Sequence, residues 1–90
     1  MALPDETALR LLAEHKIEAG ALPRAAPRSV FGGRGADLPC SLCEQPIAAS
    51  DYEFEYAVSG GKIHRFHLRC HDIWQVVLAK RRRANHIKHG

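Results

Sequence analysis

The stretch FHLRCHDIW, residues 66–74, sets His67, Cys70 and His71 along little more than one turn of chain and follows them with Ile73 and Trp74. Upstream, PCSLC (residues 39–43) supplies Cys40 and Cys43. The two pairs are spaced C-x-x-C and H-x-x-C, with 23 residues between them. Ligands three apart grip one ion because a tight turn or a helical turn brings both side chains to the same side. Three thiolates and one imidazole make the four-donor N/S set that zinc takes in a tetrahedron. Calcium and magnesium want oxygen instead. Cys40, Cys43, His67 and Cys70 are therefore the expected ligands of one structural Zn2+. His67 is preferred over His64 and His71 because it shares a helical turn with Cys70. His64 and His71 are expected at the surface or behind the ligands.

Composition explains why a metal is needed. Ninety residues make one small domain. The segment 20–39 holds four of the seven glycines and three of the five prolines, which leaves about fifty residues to pack. A unit of that size rarely folds on apolar burial alone and uses disulfides, a metal or a partner chain. Three cysteines cannot all pair with one another. The chain has no stretch that reads as a signal peptide or a membrane span. Those features predict a cytoplasmic protein with reduced thiols, no membrane association and no small-molecule substrate.

Outward from the cysteines and histidine, residues 5–19 have the start, stop and apolar spacing of a helix, with Leu9, Leu12, Ala13, Lys16 and Ile17 on one short stripe that is apolar but for its one basic residue. Residues 1–20 are assigned to this N-terminal helix and 21–37 to an irregular Gly/Pro/Arg-rich connector. DYEFEYAV (51–58) alternates strictly, with Tyr52, Phe54, Tyr56 and Val58 on one side and Asp51, Glu53, Glu55 and Ala57 on the other. With SGGK (59–62) as a turn and IHRF (63–66) as its partner, a β-hairpin is expected. Its acidic row should be solvated and paired with Lys62 or Arg65. From His67 the period becomes helical, and Cys70, Ile73, Trp74, Val77 and Leu78 fall on one side. Arg81 falls there too, so the buried stripe should end near Leu78.

Cysteine knuckle, hairpin and helix, in that order, resemble the treble-clef zinc finger. The pattern C-x2-C-x23-H-x2-C, with Phe66 before the histidine, also resembles the first half of a LIM domain, and the chain is similar to short bacterial zinc-finger proteins. The resemblance covers residues 38–79. It implies a small α+β zinc-stabilised domain with Cys40, Cys43, His67 and Cys70 as ligands. It departs from LIM after Cys70, where no second set of cysteines follows. PCSLC resembles one half of the zinc-deaminase signature, but His15 and Glu18 are one residue out of register for the other half. The asparagine of His-Asn-His nucleases has its one counterpart in Asn85, far from the ligands. No enzymatic activity is expected.

The formal charge of +3 is unevenly placed. Residues 80–90 carry five bases and no acid, whereas the rest carries eight bases against ten acids. Lys80, Arg81, Arg82, Arg83 and Lys88 are candidate phosphate contacts. Basic residues also suit a helix C-terminus for dipole reasons. A protein-interaction adaptor is the first expectation for function, and nucleic-acid binding through the basic C-terminal tail is the alternative.

Overall fold

The computed structural model describes residues 5–25, 30–57 and 62–89, the last five of these by backbone only. Two helices and a three-stranded antiparallel sheet make a small α+β fold. Helix α1 (Glu6–Glu18) starts where Asp5 accepts a hydrogen bond from the Ala8 amide at 2.8 Å. Such a cap satisfies one of the orphan donors of the first turn. Leu9, Ala13 and Ile17, four residues apart, are fully buried, and α1 packs against the second helix. Gly20 ends it with φ +79°, a left-handed conformation that glycine adopts without strain.

The sheet is ordered β1 (Phe31–Arg34), β2 (Tyr52–Ala57), β3 (Ile63–His67). Strands β2 and β3 pair antiparallel from Glu53↔His67 to Ala57↔Ile63. Residues 58–61, which hold most of the expected turn, lie outside the described residues. Helix α2 (Leu68–His89) follows β3 directly. It lays Ile73, Trp74, Val77 and Leu78 into the core. Trp74 stacks on Phe66 and Tyr56 with ring centroids 5.1 and 5.4 Å apart, so the aromatic side of the hairpin faces α2. Its indole donates to the Pro23 carbonyl at 3.3 Å, tying the chain after α1 to the core.

Three details differ from the sequence expectations. The connector 21–37 is not irregular throughout, because Phe31–Arg34 adds a third strand beside β2. This makes β2 the central strand. Glu53 then lies between Gly33 and His67 and is only 7% exposed, so the acidic row is not uniformly solvated. Arg65 does face that row, 3.6 Å from Glu55 and 3.9 Å from Glu53. His67 closes β3 rather than opening the helix. Residues 80–89 continue α2 as helix beyond its buried stripe, which ends at Leu78 as expected.

Candidate metal centre

Two segments that meet only in the folded chain, the loop 40–43 and the junction of β3 with α2, hold the four donors. The loop 40–43 carries two of them. Its Glu44 amide donates to the Cys40 carbonyl at 3.0 Å, closing a tight turn, and the Leu42 amide points at the Cys40 sulfur at 3.4 Å. Glu44 completes the turn at φ 66°, a left-handed conformation unusual for a residue with a Cβ. The turn is fastened to β3 at Ser41, whose amide donates to the Arg65 carbonyl at 2.6 Å. The Arg65 amide returns a bond to the Ser41 hydroxyl at 3.1 Å. These bonds set the knuckle alongside the strand that ends in His67, and Cys70 follows in the first turn of α2.

Cys40, Cys43, His67 and Cys70 thus sit together, with their donor atoms all within 4.8 Å of one another, and could hold one metal ion. Nδ1 of His67 is 3.4 Å from the Cys43 sulfur and 3.9 Å from that of Cys70. The edges of a tetrahedron with zinc's bond lengths are about 3.3–3.8 Å. The other ring nitrogen, Nε2, lies 3.2 Å from the Pro46 carbonyl. A carbonyl only accepts, so Nε2 carries the proton and Nδ1 turns its lone pair to the sulfurs. Such a bond to the far nitrogen fixes the ring and raises its basicity as a ligand.

The three cysteines are free thiols. The Cys70 thiol, with the amides of Cys43, His67 and Leu42, holds the Cys40 pKa down to about 4. Cys70 is raised, first by its hydrogen bond to Cys40 and then by burial. Burial also raises Cys43. Three sulfurs this close share one negative charge readily, and further charges require a cation among them. That is the chemistry of a thiolate metal site.

His64 is buried but turns toward Tyr56, at 5.7 Å between centroids, and takes no part in the cluster. His71 stacks on Phe54 at 4.6 Å. Of the candidate phosphate contacts, Lys80, Arg82 and Arg83 are exposed. Arg81 is half-buried and forms an ion pair with Glu18 of α1 at 2.5 Å. The side chain of Lys88 lies outside the described residues.

Sequence reasoning missed Lys16. Its ammonium reaches across from α1 to the Ser41 carbonyl at 3.0 Å and to Glu44 at 2.8 Å, clasping the knuckle. The one signal was a basic residue inside the apolar stripe of α1. Beside the centre, an open hollow is lined by Ser50, Asp51, Tyr52, His67, Leu68 and Arg69. Tyr52 and Leu68 are exposed at 67% and 52%.

Comparison with protein families, curated proteins and solved structures gives no match for this chain. Among the described residues, no helix is long and apolar enough to cross a membrane.

Proposed function

We propose that this chain is a non-catalytic zinc-finger module of treble-clef type that serves as a protein-interaction adaptor. The carrying observation is the convergence of Cys40, Cys43, His67 and Cys70, with the His67 ring held by Pro46 so that its free lone pair joins three sulfurs. Four protein donors complete a tetrahedral shell and leave no place for an activated water, so the ion acts on folding. Its contribution is on the order of 10 kcal/mol for sites of this kind. The knuckle–hairpin–helix order around the donors supports the treble-clef assignment. Tyr52 and Leu68, both exposed at the hollow beside the centre, support a protein partner, because large apolar side chains are left together on the surface of a small domain.

The test is metal content by native mass spectrometry, with circular dichroism before and after chelation. One zinc per chain is expected, and its removal should abolish cooperative unfolding. Metal-free protein that folds cooperatively would overturn the reading.

Exposed Lys80, Arg82 and Arg83 on α2 favour a second reading, nucleic-acid binding through phosphates. Arg81 is engaged by Glu18, so three described bases remain, for a log–log salt slope of about −3 on duplex DNA. A gel shift with random-sequence DNA separates the two readings. The adaptor reading expects no shift at tens of micromolar protein in about 50 mM salt.

A further inference from the structure

Strand β1 is the open edge of the sheet, and its sequence, Phe31-Gly32-Gly33-Arg34, determines what can pair with it. All four residues are exposed, and Phe31, 71% exposed, is paired with Glu55 and so lies on the sheet face opposite to that of Tyr56. Among the described residues, no backbone group bonds to the outer side of β1. Natural edges are usually blunted by charge, proline or a bulge. Only Arg34 does so here.

The hydrogen-bonding phase of the edge follows from its inner side. The Gly35 amide donates to the Asp51 carbonyl at 3.0 Å, in the register that pairs Gly33 with Glu53 and Phe31 with Glu55. In an antiparallel ladder bonded and non-bonded pairs alternate. Phe31, Gly33 and Gly35 therefore bond inward to β2, and the N–H and C=O groups of Gly32 and Arg34 point outward.

We propose that the occupant of this edge is a second copy of the chain, paired β1 to β1 antiparallel about a two-fold axis through Gly32. In that register Gly32 forms a bonded pair with Gly32 of the other copy, as its outward groups require, and Arg34 lies opposite Val30, the residue before β1. Phe31 then stands opposite Gly33 in a non-bonded pair, where side chains approach most closely. Gly33 has no atom within 4 Å of the place a Cβ would occupy, so its face is open to receive the ring. Aromatic cover of a cross-strand glycine is a known way to stabilise glycine in an edge strand. Both Phe31–Gly33 contacts form at once by symmetry. The product is a continuous six-stranded sheet with both α2 helices on the same face.

This inference rests on the sheet edge and not on the metal or the adaptor reading, and it can stand or fall separately. The interface is small, so a weak dimer is expected, to be sought at about 10–500 µM protein. The test is sedimentation velocity of the purified chain across that concentration range, combined with amide exchange by NMR. A concentration-dependent dimer is expected, with the amides of Gly32 and Arg34 gaining protection and those of Phe31 and Gly33 unchanged. Gly32→Pro removes one outward donor without touching the β1–β2 ladder. It should weaken the dimer at least about tenfold while metal content and fold are kept. Phe31→Ala should weaken it as well. A chain that stays monomeric throughout overturns the proposal. So does a dimer that leaves the Gly32 and Arg34 amides unprotected, or protection that appears only when a different protein is added.

Discussion

Cys70 and His71 are neighbours with opposite surroundings. The first is fully buried among the donors, and the second lies with its ring on Phe54. Replacing Cys70 with Ser should unfold residues 38–79, whereas His71→Ala should leave them folded with their metal. Two-dimensional NMR of the two variants checks this, and the reverse pattern would move the ligand assignment to His71. Tyr56 offers a prediction of the other sign. Its hydroxyl is buried with no partner among the described residues, and burial raises its pKa. An unsatisfied buried polar group costs about 1–3 kcal/mol. Tyr56→Phe keeps the ring on Trp74 and should raise the thermal midpoint. At this scale the sequence was most legible: the spacing of Cys40, Cys43, His67 and Cys70 is itself a statement of geometry. The burial of Glu53 was not legible, because it depends on a strand that the local pattern hides.

That strand is the lesson at the scale of elements. The hairpin and α2 announce themselves by periods of two and 3.6, but β1 is half glycine and has no period. Glycine is depleted in strands, and this segment becomes one only because β2 lies beside it. Gly35, just beyond, shows how closely the chain is held there. A Cβ at Gly35 would lie 2.3 Å from the carbonyl oxygens of both Ile47 and Ala48. Backbone must move to admit it, so Gly35→Ala should destabilise the fold by at least about 2 kcal/mol in urea titrations. The pairing of Arg81 with Glu18 was equally unreadable, since they lie 63 positions apart in the sequence. An ion pair with one partner as exposed as Glu18 contributes little to stability. Arg81→Gln should leave the melting temperature nearly unchanged.

For the molecule as a whole, acid should be destabilising even apart from the metal. Burial, helped by the charge of Lys62, holds the His64 pKa below its ordinary value of 6.5. The folded state then binds fewer protons than the unfolded one near that pH, so stability rises with pH. The contribution of His64 is complete above pH 6.5 and declines as the pH falls toward its lowered folded-state value. In denaturation series between about pH 5 and 8, His64→Phe should flatten the slope, with the remainder due to His71, whose pKa burial also lowers, and to proton competition at the metal ligands. The last turn of α1 adds a consequence of its own. Lys16 holds the knuckle while the buried face of α1 packs on α2, so one short helix straps together the two segments that supply the donors. Stripping the ion should therefore loosen that strap, and trypsin should begin to cut at Arg10 and Lys16, far along the sequence from any cysteine.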